Sequence, residues 1–274
     1  MMCYTTDMLR FTKMNGAGND FVMLDNRAGD LKLTGEQIAR LCDRHRGVGA
    51  DGVLLVERPA NGANFRMRYY NSDGGEAEMC GNGARCFARF ADRIAGPLKN
   101  ITFETLAGVI GASIEGEHVR LQMSDPTDMR LNLDVPLREQ TLRGHFVNSG
   151  VPHVVVPVDD LEAADVNRIG SSVRQHELFA PKGANVNFLS RRDDNAIAIR
   201  TYERGVEAET LACGTGVVAS ALIFAAMDDL AGPIRVLVRG GDELTVDFEK
   251  DGDQFTKVTL TGPADFAFDG TIEL

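Results

Sequence analysis

Two near-copies of one peptide stand half a chain apart. Gly75-Glu76-Ala77-Glu78-Met79-Cys80-Gly81-Asn82-Gly83 is echoed by Gly205-Val206-Glu207-Ala208-Glu209-Thr210-Leu211-Ala212-Cys213-Gly214-Thr215-Gly216, with three extra residues before the second cysteine. The cysteines lie 133 positions apart in a chain of 274. The simplest fold with such a repeat is a duplicated α/β unit in which each half contributes one thiol opening a Gly-x-Gly element. Two such thiols at one pocket suit chemistry on two faces of one carbon.

The rest of the repeat follows nearly the same spacing. Arg68-x-Tyr70-Asn71 aligns with Arg200-x-Tyr202-Glu203, and the loop Asn15–Asp20 precedes the loop Asn148–His153 by the same interval. The first half reads as strands at Met8–Met14, Phe21–Asp25, Val53–Glu57 and Phe65–Asn71, with a helix from an N-cap at Thr34 over Glu36–Arg44. A helix from about Gly83 to Arg93 follows Cys80, and strands at Ile101–Leu106, Val109–Glu115 and Val119–Met123 close the half. Ser124-Asp125-Pro126-Thr127 is a turn signal at the boundary. The expected domains are therefore 1–123, with about 266–274 packing back on it, and 124–265.

In the second half, strands are expected at Gly144–Val147, Val154–Val158, Val186–Leu189 and Ala196–Tyr202, with a helix near Asp165–Gln175. After Cys213 come strands at Ile234–Arg239, Leu244–Phe248 and Lys257–Thr261. The apolar run Val217–Met227 is too short to span a bilayer and reads as a buried helix. The expected fold class is α/β (α+β): two pseudo-symmetric domains, each a strongly twisted, barrel-like sheet around a central helix, with the active site in the cleft between them.

Charge and cysteine usage narrow the function. A formal net charge of −11 argues against a general nucleic-acid or anionic-membrane surface and points to a small-molecule ligand. Five cysteines, with no Cys-x-x-Cys pair and no basic-then-apolar N-terminal segment, point to a reducing cytoplasm. Cys3, Cys42 and Cys86 lack partner motifs and read as core or surface residues.

A thiol at the start of a helix is easier to ionise, and the N–H groups of the first turn can hold a carboxylate. Gly81-Asn82 and Gly214-Thr215 would grip that carboxylate, leaving its α-carbon beside both sulfurs. One thiolate then takes the α-proton and the other thiol returns one on the opposite face. Such a scheme calls for no cofactor and no metal. A zinc site from Cys80, Cys86, Cys213 and His153 lacks ligand spacing, and neither Gly-x-Gly element continues as a phosphate-binding loop.

Met14-Asn15-Gly16-Ala17-Gly18-Asn19-Asp20-Phe21, Arg44 through Gly52, Tyr70-Asn71-Ser72-Asp73-Gly74, the Cys80 element, Pro152-His153 and Glu203 through Gly216 together resemble the diaminopimelate epimerase family over nearly the whole length. The resemblance implies pyridoxal-phosphate-independent interconversion of LL- and meso-2,6-diaminopimelate, in lysine and peptidoglycan precursor synthesis, by a homodimer. It implies Cys80 and Cys213 as the acid/base pair, with His153 and Glu203 assisting. It also implies substrate contacts from Asn19, Asn71, Gly81, Asn82, Asn185, Glu203, Arg204, Gly214 and Thr215, with Arg204 gripping the distal carboxylate. Two positions depart from the pattern: Gly52 stands where many members have Gln, and Val151 where many have Asn. The competing readings are a related two-cysteine racemase for another amino acid and a non-catalytic thiol redox or metal-binding protein.

Overall fold

The structure is a computed structural model and describes residues 8–274, so Cys3 lies outside the described residues. The chain divides into two compact units, one running to Leu121 and taking back Pro263–Leu274, the other comprising Gln122–Gly262.

In the first unit β1 (Leu9–Gly16) and β2 (Asn19–Asp25) form an antiparallel hairpin. Ala17 and Gly18 both sit at positive φ, 59° and 96°, the conformation a two-residue hairpin turn demands. The polar loop expected over Asn15–Asp20 is therefore reduced to two residues, and Asn15 and Asp20 pair across the strands. Helix α1 (Gly35–Cys42) starts on a reciprocal capping box: Thr34 Oγ1 accepts from Gln37 N at 3.2 Å, and Gln37 Oε1 accepts from Thr34 N at 3.0 Å. Such a cap contributes about 1 kcal/mol.

Strand β3 (Gly52–Glu57) runs parallel to β2, and β4 (Phe65–Asn71) antiparallel to β3. The short β5 (Glu76–Ala77) folds back on β4 before helix α2 (Gly81–Ala95). Next, β6 (Asn100–Thr105) joins β4 in parallel, and β7 (Gly108–Glu115) and β8 (His118–Gln122) extend the sheet as a meander. Val22, Leu24, Val53 and Leu55 pack with Ile38 and Leu41 of α1 on one face. The alternate residues Phe21, Met23, Leu54 and Val56 are equally buried on the face that carries α2. Covering both faces of this parallel pair explains its unbroken apolar runs.

The second unit repeats the plan. It contains β9 (Thr127–Pro136), β10 (Thr141–Asn148), β11 (Pro152–Pro157), α3 (Val166–Arg174), β12 (Asn185–Asp193), β13 (Ala196–Glu203), β14 (Ala208–Thr210), α4 (Gly214–Met227), β15 (Ile234–Leu237), β16 (Glu243–Asp251) and β17 (Gln254–Pro263). Val154, Val156, Val186, Phe188 and Tyr202 pack against Val166 and Val173 of α3, while α4 lies against β10, β11, β12, β13, β15 and β16. The run Val217–Ala225 in α4 is buried throughout. The chain then returns to the first unit as β18 (Asp265–Ile272), antiparallel to β1.

Strand order in the first unit is β18-β1-β2-β3-β4-β6-β7-β8, and in the second β9-β10-β11-β12-β13-β15-β16-β17. The parallel joints fall at the same places, between the third and fourth strands and between the fifth and sixth, the latter by a crossover through the cysteine-led helix. The duplicated peptide thus reflects a duplicated mixed α/β topology. Strand β9 has no counterpart in the expected elements. It is polar, and Asp128 and Asn132 take positive φ of 50° and 56°, so its register against β10 breaks twice and its side chains do not alternate cleanly. No helix among the described residues is long and apolar enough to cross a membrane.

Candidate active site

Cys80 and Cys213 occupy matching positions, the N-caps of α2 and α4. Their backbones are nearly superimposable in torsion, φ −134°, ψ 122° and φ −127°, ψ 110°. The carbonyl of each accepts the first helical hydrogen bond, from Ala84 N at 2.7 Å and from Val217 N at 2.9 Å. Gly81 and Asn82 therefore belong to the first helical turn, two residues earlier than the sequence pattern placed the start. Neither cysteine side chain caps its helix, and neither first turn holds an acidic residue. A helix N-terminus of this kind favours a negative charge.

In the first unit, Asn82 is held from two sides. Its Nδ2 donates to Asn19 Oδ1 at 2.7 Å, and Arg85 Nη2 donates to its Oδ1 at 3.0 Å. Asn19 Nδ2 in turn donates to Asp51 Oδ2 at 2.9 Å, and Arg44 bridges Asp51 and Asp20 at 2.8 Å each. Burial would raise the Asp20 carboxyl, but Arg44 and Lys13 hold it well below the usual carboxylate range. The Asn19 amide thus orients Asn82, while Asn71 closes β4 at an exposed turn. At Gly52 an added Cβ would lie 2.7 Å from Tyr69 Cε2, so the Tyr69 ring fills the place where a longer side chain would start. Cys86 is wholly buried, and burial pushes its thiol up to about 12; Cys42 is pushed up to about 11 by the same cause.

In the second unit a polar cluster lies on the α4 side of the sheet. His153 is fully buried on β11; its Nε2 is 2.9 Å from Thr215 Oγ1 and its Nδ1 is 3.1 Å from Asn187 Nδ2. Thr201 Oγ1 donates to Asn187 Oδ1 at 2.9 Å. Thr215 Oγ1 lies 3.6 Å from Cys213 Sγ, and Ser149 Oγ donates to the Thr215 carbonyl at 2.9 Å. Burial, reinforced by the Arg204 charge, brings the His153 imidazole down to about 3, so the ring is neutral at working pH. Glu203, at the end of β13, accepts from Thr210 Oγ1 at 2.9 Å; burial raises its carboxyl against that hydrogen bond. Asn185 Oδ1 accepts from the Arg204 backbone N–H at 2.7 Å, which fixes the turn carrying Arg204, whose guanidinium donates to the Lys182 carbonyl at 3.2 Å.

The two units match at their cysteine-led helix ends and differ behind them. Register places Phe21, Leu54 and Tyr69 of the first unit where the second has His153, Asn187 and Thr201: Phe21 pairs with Gly52 as His153 does with Asn185, and Leu54 pairs with Tyr69 as Asn187 does with Thr201. The first unit thus has a phenylalanine, a leucine and a tyrosine at positions where the second has a hydrogen-bonded histidine, asparagine and threonine. Asn187 and Thr201 were not among the expected site residues. Their signal is parity: Asn185 and Asn187 share one face of a strand whose other face is Val186 and Phe188.

A family model described as diaminopimelate epimerase matches residues 11–128 and 145–267. The chain is 43% identical to diaminopimelate epimerase of Aquifex aeolicus, over 96% of this chain and 98% of that protein. It is 42% identical to diaminopimelate epimerase of Hydrogenobaculum sp., over 95% of this chain and 97% of that protein. Among solved structures, the Bacillus anthracis phenazine biosynthesis protein of the PhzF family superposes with a TM-score of 0.74 at 17% identity, covering 98% of this chain and 100% of that one, a likeness of fold.

Proposed function

Because the chain belongs to the diaminopimelate epimerase family, we propose that it interconverts LL- and meso-2,6-diaminopimelate by exchanging the proton at one α-carbon between Cys80 and Cys213. The observation that carries this reading is the pair of cysteine N-caps on helices whose first turns hold no side-chain cap and no acid. The α-carboxylate binds at the N–H groups of Gly81-Asn82 and Gly214-Thr215. The thiolate on one face removes the α-proton, and the carbanion's charge spreads into the carboxylate held by the helix ends. The thiol on the opposite face delivers its proton, configuration inverts, and the two sulfurs exchange charge states. The reverse reaction starts from that exchanged state.

This scheme assigns no step to a metal or an aldehyde cofactor. Glu203 orients the reacting amino group, and Arg204 grips the distal carboxylate with its planar fork. The product feeds lysine and peptidoglycan precursor synthesis in the cytoplasm, and the enzyme acts as a homodimer of two-domain subunits. The test is incubation of the reduced protein with LL-diaminopimelate in deuterium oxide. The meso isomer should appear carrying deuterium at the inverted α-carbon; inversion without deuterium, or no inversion, refutes the reading.

A further inference from the structure

Resting on the assignment of Cys213 as an acid/base residue, we infer that Asn187, His153 and Thr215 form a positioning chain whose end is a hydroxyl hydrogen bond to the Cys213 sulfur. The direction of each bond follows from the one before it. Asn187 has its amide fixed at both ends: Oδ1 accepts from Thr201 Oγ1 at 2.9 Å, and Nδ2 donates to the Val154 carbonyl at 3.3 Å, a partner that can only accept. The second Nδ2 proton therefore points at His153 Nδ1, 3.1 Å away, which must accept it.

A neutral imidazole that accepts at Nδ1 carries its proton on Nε2. Asn185 Nδ2 also approaches Nε2, at 3.4 Å, but its own donation goes toward the Pro152 carbonyl, and a ring with one proton cannot accept on both sides. Nε2–H donates to Thr215 Oγ1 at 2.9 Å. With its oxygen accepting from the ring, the Thr215 hydroxyl turns its own proton to Cys213 Sγ at 3.6 Å. A donor at that sulfur favours its thiolate over its thiol. The charged groups of this neighbourhood are Glu203 and Arg204, and neither bonds to a member of the chain through its side chain.

Gly216 makes the arrangement possible, since a Cβ there would collide with Asn187 Oδ1. In the first unit Phe21, Leu54 and Tyr69 fill the corresponding places, and the residue matching Thr215, Asn82, donates to Asn19. Cys213 is thus tuned by a hydroxyl that a buried histidine holds in place.

The experiment uses no substrate, so its outcome is independent of what the enzyme acts on. In the reduced protein, the pH dependence of iodoacetamide labelling at Cys213 is followed by peptide mass for wild type, Thr215→Val and Thr215→Ser. Valine keeps shape and backbone N–H while removing the hydroxyl. Its labelling midpoint should rise by about one pH unit or more, the worth of a hydrogen bond to a charged group, and serine should restore the wild-type midpoint. In parallel, a long-range proton–nitrogen correlation spectrum of histidine-labelled wild type should show His153 protonated at Nε2 from mildly acid to alkaline pH, and Asn187→Ala should mix the tautomers. An unmoved midpoint in Thr215→Val, an equal rise in Thr215→Ser, or a wild-type His153 protonated at Nδ1 overturns the inference. The wild-type spectrum decides even if a variant fails to fold.

Discussion

Gly216→Ala is a sharp test of how tightly α4 is fitted to the strands behind it. In an ordinary helix the change stabilises by up to about 1 kcal/mol, because alanine has fewer unfolded conformations to lose. At Gly216 the added methyl collides with Asn187 Oδ1 and comes within 3.3 Å of Cys213 Cβ. Asn187 cannot swing aside freely, since Thr201, Val154 and His153 hold its amide from three directions. Displacing it leaves a buried hydroxyl or amide unsatisfied, at about 1–3 kcal/mol, and the overpacking itself costs about 1–3 kcal/mol. Taking the helix gain from the sum of these, the net loss is about 3 kcal/mol. Gly83→Ala is the matched control, because its Cβ would meet Leu54 Cδ1 at 3.2 Å and Phe21 Cε1 at 3.4 Å, apolar neighbours free to shift. That change should stay within about 1 kcal/mol of wild type. The chain has no Trp, so urea unfolding is followed by far-ultraviolet circular dichroism. A Gly216→Ala protein as stable as Gly83→Ala would refute the rigid account of Asn187.

Cys80→Ala and Cys213→Ala should each leave no more than about a hundredth of the epimerisation rate, as loss of a general acid or base does, whereas Cys86→Ala should keep most of it; a tenth or more of the rate remaining in either of the first two would end the two-base scheme. Arg204→Ala should lower kcat/KM for diaminopimelate by roughly 1.5–3 kcal/mol and erase discrimination against an analogue lacking the distal carboxylate, with Arg204→Lys recovering part; equal discrimination by wild type and Arg204→Ala would remove Arg204 from the distal site. His153 has its ring proton affinity depressed from the ordinary 6.5 to about 3 in the fold, so the unfolded chain takes up a proton first as pH falls. The stability linked to this residue is complete above about pH 6.5 and is lost down to about pH 3, with a slope of up to about 1.4 kcal/mol per pH unit. Unfolding of His153→Gln should fall less steeply than wild type across that window, and parallel curves would contradict a buried neutral His153.

What the sequence made legible was whatever repeats or is punctuated locally. The two cysteine peptides, the Thr34 capping box and the apolar run of α4 each carry their signal within a dozen residues. Strand β9 does not, because its bulges and left-handed Asp128 and Asn132 break the alternation that marks a strand. The polar chain behind Cys213 was hidden differently: His153, Asn187 and Thr201 sit on three strands, and only the register of β11, β12 and β13 brings them together. Duplication of the visible peptide suggested two equivalent thiols, while the strands behind it had diverged.

Strand β18 has a consequence for how the protein is made. The second unit is continuous from Gln122 to Gly262, but the first needs Pro263–Leu274 to cover the open edge of β1. During synthesis, residues up to Leu121 leave the ribosome long before β18 does. Through that interval β1 exposes a row of unanswered N–H and C=O groups, able to recruit strands from other nascent chains. The later-made unit can therefore complete itself before the earlier-made one, and truncation within β18 should be felt at the opposite end of the chain, as aggregation through β1.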